Sequence, residues 1–152
     1  MRQIVFTRPD GGLSVVHPVI NTMGEVAGFT EVQAEQRAFA KLPANAINPK
    51  FIETADIPVD RTFRNAWEDN GSINVNMPKA REIHREKLRA LRKPLLEALD
   101  MGYLRADEQG DVAEKARIAA EKQKLRDVTA DPRIEAAQTP EQLKAVLPDV
   151  LK

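Results

Sequence analysis

The chain has no cysteine and few aromatic residues. Of its 152 residues, 5% are aromatic and 30% are charged. The absence of cysteine excludes a disulfide framework, a thiolate nucleophile and a cysteine-ligated zinc site. The shortage of aromatic side chains predicts a thin hydrophobic core, and the many charges predict an extensive charged helical surface.

The sequence also lacks long apolar runs and an excess of one charge. No apolar run approaches the roughly 18 residues that span a bilayer. Near the N-terminus, Arg2, Arg8 and Pro9 interrupt any signal-peptide core, so we expect no membrane association. The 23 basic residues balance 23 acidic ones. Because nucleic-acid-binding proteins are normally basic, this balance disfavours nucleic acid as a partner.

The two halves of the chain differ in composition. Residues 1–76 contain six of the seven aromatic residues, whereas residues 77–152 contain one aromatic residue and abundant alanine. The turn signal Asn70-Gly71-Ser72 lies close to this change. We therefore predict an α+β protein with a mixed, loop-rich N-terminal region, 1–76, and a helical region, 77–152.

The N-terminal region is predicted to begin with a β-hairpin. Residues 4–7 and 13–16 are rich in β-forming side chains, and residues 8–12 have turn chemistry. Because an isolated hairpin is marginally stable, a third strand, a helix or a partner must cover it.

A short helix and a long loop complete the N-terminal region. Thr30 and Gln33 form a capping box that predicts the start of the helix, with Val32 and Phe39 on its apolar face. The stretch from Pro43 to Met77 is predicted to be mostly loop, with strand-like fragments at 51–52 and 73–75.

The second region is predicted to be a helical hairpin followed by a short terminal helix. Pro78 favours a helix start. Pro94 should kink the long helix. Gly110 should end it, and Asp111 should cap the next helix. The segment 139–142 is a capping box that begins the terminal helix. The long helix carries one apolar stripe: Ile83, Leu88, Leu91, Leu95 and Leu99.

No catalytic motif is recognisable. The sequence contains no glycine-rich phosphate loop, no nucleophile elbow and no pair of histidines at metal-binding spacing. The two histidines are His17 and His84, and we interpret His84 as a solvent-facing helix residue. We therefore expect no catalytic residue, no metal and no cofactor, and an enzyme is the least expected class.

The first candidate binding segment is a basic run on the long predicted helix. Its cations are Lys79, Arg81, Arg85, Lys87, Arg89, Arg92 and Lys93. The run could be a solvated face, a surface for an acidic protein, or a phosphate-binding strip. Arg85, Arg89 and Arg92 are predicted to line one flank that binds a partner's carboxylates. Their reversal to Glu should then leave the isolated fold intact.

The second candidate segment is Phe63-Arg64-Asn65-Ala66-Trp67. One helical turn would place the rings of Phe63 and Trp67 on the same face. They could be core anchors. Alternatively, Phe63, Arg64 and Trp67 could bind a partner, since tryptophan and arginine are enriched at interface hot spots.

Several of these segments together resemble known phage proteins. Residues 63–67 (FRNAW), 77–85 (MPKAREIHR) and 95–100 (LLEALD) look like segments of small proteins encoded among the tail genes of tailed bacteriophages. Residues 123–127 (QKLRD) and 139–143 (TPEQL), followed by Pro148, resemble the C-terminal helical region of phage tail-fibre assembly proteins. The resemblance covers residues 61–148.

The resemblance implies a non-enzymatic structural or adaptor protein of a tailed-phage virion. Its location would be the tail, collar or fibre-attachment region, after synthesis in the host cytoplasm. Its partners would be other virion proteins, bound in several copies per particle. Two alternatives remain: a tail-fibre assembly chaperone that leaves the particle, and a nucleic-acid-binding accessory protein that uses residues 79–93.

Overall fold

The computed structural model describes residues 1–20 and 30–151, and it divides the chain into two compact units, Met1–Asn76 and Met77–Lys152. The first unit contains two small antiparallel sheets and one helix. The second contains a helical hairpin and two short helices. The predicted α+β fold class is therefore confirmed.

The first unit is built on the predicted hairpin. Strand β1 (Gln3–Thr7) pairs antiparallel with β2 (Leu13–Val16). At the turn, the Arg8 N–H donates to the carbonyl of Gly12 at 2.7 Å, and Gly11 adopts φ 76°. The third strand that the hairpin requires comes from the chain itself. Strand β3 (Ile47–Ile52) pairs with the other side of β1, so the strand order is β2-β1-β3.

Strand β3 is longer and less regular than the predicted fragment at 51–52. Its register against β1 shifts between Val5 and Thr7. Within it, Asn48 adopts φ 49°, a left-handed conformation that asparagine tolerates better than most residues. Pro49 follows and has no N–H to donate to a neighbouring strand. The sheet therefore ends on this side in an irregular edge.

Helix α1 (Glu31–Ala40) begins at the predicted capping box. The Thr30 hydroxyl accepts from the Gln33 N–H at 3.3 Å, and the Gln33 side chain accepts from the Thr30 N–H at 2.9 Å. The predicted apolar face is wrong at Val32, which is 59% exposed, whereas Glu35 is buried. Glu35 can be buried because a cation pairs with it.

That cation is Arg2. Its backbone N–H donates to one carboxylate oxygen of Glu35 at 2.6 Å, and its guanidinium donates to the other at 2.7 Å. These bonds hold the pKa of Glu35 below its ordinary value. The Arg2 guanidinium also lies 4.5 Å from the ring centroid of Phe51, which stacks on Phe39. Arg2 therefore joins α1 to the sheet.

A second hairpin follows the long loop. Strands β4 (Trp67–Asp69) and β5 (Ile73–Val75) pair around the predicted turn. The predicted helical turn at 63–67 is wrong in form, because a short 3-10 helix occupies Arg64–Ala66 and strand β4 begins at Trp67. One hydrophobic cluster of the first unit comprises buried Val5, Leu13, Ile57 and Trp67, packed against Val15, Ile52, Ile73 and Val75.

The second unit is built on the predicted helical hairpin. Helix α2 (Met77–Glu108) continues through Pro94 for 32 residues. Gly110 adopts φ 68° after it, and the Asp111 side chain caps α3 (Val112–Asp127) by accepting from the Glu114 N–H at 2.9 Å. The predicted stripe of α2 is only partly buried. Leu88 is enclosed, whereas Leu91 is 43% and Leu95 40% exposed.

Two short helices complete the second unit. Helix α4 (Pro132–Ala136) was not predicted, and α5 (Pro140–Lys144) is the predicted terminal helix. The Thr139 hydroxyl accepts from the Gln142 N–H, but the Gln142 side chain accepts from Gln138 instead of completing a capping box. Ile134 of α4 and Leu143 of α5 are fully buried. Among the described residues, no helix is long and apolar enough to span a membrane.

Candidate functional site

Three arginines of the basic run, Arg81, Arg85 and Arg92, form hydrogen bonds from α2 to other elements of the second unit. Arg81 donates from Nε to the carbonyl of Ile134 at 3.1 Å and from Nη2 to that of Ala137 at 2.9 Å. Arg92 donates from Nη1 to the carbonyl of Arg126 at 2.7 Å. These carbonyls lie at the C-terminal ends of α4 and α3, where helices leave acceptors unsatisfied. The two guanidinium groups supply the missing donors at the negative ends of the helix dipoles.

Arg85 lies between these two contacts along α2 and is less exposed than Arg89. Its side chain is 19% exposed and bonds to Glu135, to Glu82 at 2.6 Å and to the carbonyl of Thr129 at 3.4 Å. The carboxylate of Glu135, followed by that of Glu82, raises the pKa of the guanidinium. Arg85 therefore joins α2 to the segment that follows α3.

Two arginines of the predicted flank, Arg85 and Arg92, are already engaged within the second unit. Both guanidinium groups already bind carbonyls of their own unit. Arg89 differs, because its side chain is 40% exposed and, among the described residues, pairs only with Glu86, three residues away. A partner-binding role for the flank stays a prediction. The solvent-facing cations of the run are Lys79, Lys87 and Lys93, together with the partly exposed Arg89.

His84 is buried, so its interpretation as a solvent-facing residue is wrong. Only 4% of it is exposed, and its Nε2–H donates to the carbonyl of Val146 at 2.8 Å. Burial lowers the pKa of His84, and nearby Lys87 and Arg85 lower it further, while the hydrogen bond opposes them. The four-residue spacing of Ala80, His84 and Leu88 placed it on the buried face of α2.

We expect the second unit to lose stability as the pH falls below the ordinary histidine pKa of 6.5. Because the pKa of His84 is lowered in the fold, the unfolded chain binds more protons below this pH, and unfolding becomes easier. Denaturant unfolding at about pH 7.5 and 5.5 tests this. His84→Gln is the matched variant, because its amide can still donate to Val146 and does not titrate. An equal decline in both proteins would contradict the prediction.

The aromatic segment is divided between core and surface. Phe63 and Trp67 are buried, whereas Arg64 between them is exposed. Burial of both rings supports their interpretation as core anchors. The indole Nε1 of Trp67 is buried without a hydrogen-bond partner among the described residues. A buried donor in this state carries a desolvation cost.

Arg64 and Trp67 also line a pocket in the first unit that the sequence did not reveal. Its volume is about 370 Å³, and its lining includes three arginines, Arg8, Arg61 and Arg64, together with His17. These residues come from the first hairpin and from the segment before β4. Residues 1–76 are slightly acidic overall, with 7 basic and 9 acidic side chains, so composition gave no indication of a basic pocket.

Within residues 1–20 and 30–151, no group of three or more histidine, aspartate or glutamate residues could hold a metal ion. Comparison with protein-family models, with curated proteins and with solved structures found no match to this chain. The geometry of the two units and the sequence resemblance are therefore the grounds for a functional proposal.

Proposed function

We propose that this protein is a non-enzymatic structural adaptor of a tailed-phage particle, in the tail, collar or fibre-attachment region. It would bridge two other virion proteins. The observation that carries the proposal is the division into two compact units of unlike architecture, each with its own buried residues. Two units of this kind can present a separate binding surface to each of two different partners. The sequence resemblance indicates that these partners are phage proteins.

The first unit offers a main-chain surface and a charged one. Strand β2 lies at an edge of its sheet, and an extended segment of another chain can add to such an edge through main-chain hydrogen bonds. Residues of the same strand line the basic pocket. This combination suits a partner that presents an extended acidic segment.

The second unit offers a mixed surface on α2. Leu91 and Leu95 are apolar and about two-fifths exposed, and Lys87 is exposed nearby on the same helix. Apolar contacts flanked by charged groups are typical of protein interfaces. Arg81, Arg85 and Arg92 are engaged within the unit, which leaves four of the run's seven cations for the phosphates of a nucleic acid.

Mass spectrometry of purified particles tests the proposal. A structural adaptor is expected in every preparation at a fixed ratio to the tail proteins, after washing in high salt. Its absence from particles would refute the proposal. If the protein is absent and its co-expression with a fibre gene raises the yield of soluble fibre, the chaperone alternative applies.

A further inference from the structure

The pocket of the first unit concentrates positive charge that has no counterpart in its lining. Three arginines and one histidine line it, and no carboxylate does so within the described part of the chain. Like charges drawn together in this way repel one another unless an anion joins them. The arrangement is therefore electrostatically complementary to an anionic group.

One of these cations is held in place by its surroundings. Arg8 Nε donates to the Asp10 carboxylate at 3.2 Å, and Nη1 donates to the Ser14 hydroxyl at 3.4 Å. Gly12 permits this arrangement, because a Cβ at that position would lie 2.1 Å from Nη2 of Arg8. The Arg8 guanidinium therefore reaches the pocket already oriented.

The other two arginines are different. Arg61 and Arg64 are exposed, and within residues 1–20 and 30–151 neither side chain forms a hydrogen bond or an ion pair. By contrast, Arg2, Arg85 and Arg117 are all paired with carboxylates. Arg61 and Arg64 are thus available to a ligand, and a guanidinium fork matches the geometry of a carboxylate.

We propose that this pocket is a binding site for the carboxylate side chains of an extended acidic segment of another protein. The partner's being a protein rests on the proposed adaptor function. Two features favour a polypeptide over a bare anion. Leu13, Val15 and Trp67 give the pocket apolar walls that suit the carbon atoms of a bound side chain. Leu13 and Val15 also belong to edge strand β2, along which an extended segment can lie.

Trp67 provides the direct test, because it is the chain's only tryptophan and it lines the pocket. The purified full chain is titrated with an extended peptide of alternating glutamate and threonine, and Trp67 fluorescence is followed. The same peptide with glutamine in place of glutamate is the ligand control. We expect the glutamate peptide to bind at least about tenfold more tightly, since each charge-assisted pair contributes strongly.

The double variant Arg61→Gln/Arg64→Gln should weaken glutamate-peptide binding about 10- to 100-fold. Because both side chains are exposed, its circular dichroism should match the wild type. The matched control is Arg105→Gln/Arg126→Gln, which removes two exposed arginines from the second unit and should leave binding unchanged. Equal binding by the pocket variant and the wild type would overturn the proposal, as would equal binding of the two peptides.

Single-stranded DNA and inorganic phosphate are titrated in parallel. Pocket-dependent binding of either one, without binding of the glutamate peptide, would overturn the assignment to a protein carboxylate. The outcome is separable from that of the adaptor proposal. If the protein is absent from particles but the peptide binds through Arg61 and Arg64, the adaptor function is refuted and the proposed binding site is supported. If the protein is present in particles but peptide binding does not depend on these arginines, only the proposed binding site is refuted.

Discussion

Trp67→Ala is expected to lower the free energy of unfolding of the first unit by about 3–5 kcal/mol. Trp67 is the largest side chain of a small cluster that also contains Val5, Leu13 and Ile57. None of these aliphatic neighbours is large enough to fill the cavity that the substitution leaves. Unfolding should be followed by amide hydrogen exchange of β1 residues such as Val5, which report this unit and not the helical one.

Trp67→Phe is the control for this substitution. It keeps an aromatic ring and removes the indole N–H that is buried without a partner in the described part of the chain. Loss of that group should offset part of the lost packing, so the cost should be well below that of Trp67→Ala. An alanine variant as stable as the wild type would show that the ring is not an anchor of the core.

Reversing Arg85, Arg89 and Arg92 together to Glu should destabilise the second unit by about 3 kcal/mol or more. At position 85 a carboxylate would replace the partner of Glu82 and Glu135, and at position 92 it would face the carbonyls of the last turn of α3. Repulsion and lost hydrogen bonds then act together. The far-ultraviolet circular dichroism of the isolated protein should show earlier unfolding in denaturant.

The single variant Arg89→Glu separates this effect from a change in surface charge. Its side chain is 40% exposed and, within residues 1–20 and 30–151, pairs only with Glu86 on the same helix, so we expect a change of about 0.5 kcal/mol or less. If the triple variant were as stable as Arg89→Glu, the contacts of Arg85 and Arg92 would contribute nothing to the free energy of unfolding. Any later assembly assay should therefore use Arg89→Glu, because failure of the triple variant would reflect misfolding.

The elements that could be predicted from the sequence are those determined by residues close together in the chain. The capping box at Thr30 and the cap at Asp111 place donors and acceptors within three residues of one another, so the pattern alone identifies them. The first hairpin has its turn chemistry in the five residues that join its strands. The turn signal at Gly71 is equally local, although the sequence did not predict the hairpin that forms around it.

The contacts that the sequence did not predict join residues far apart in the chain. Arg81 and the carbonyl of Ile134 are separated by 53 positions, and Arg2 and Glu35 by 33. Helical spacing shows which side chains share a flank, but it cannot show whether another helix ends beside that flank. The charges of the α2 run were therefore interpreted as a surface. The pocket was missed for the same reason, since Arg8 and Arg61 lie on different elements.

The two edges of the three-stranded sheet have different consequences for assembly. Strand β3 carries a register shift, a left-handed Asn48 and Pro49, features that hinder the pairing of another strand. Strand β2 has neither a proline nor a register shift. Such a sheet favours pairing with another strand on its β2 side only, so each copy can readily pair with one other copy. Two copies joined through β2 would leave only the irregular β3 edges for a third copy, which disfavours growth of the sheet into a filament.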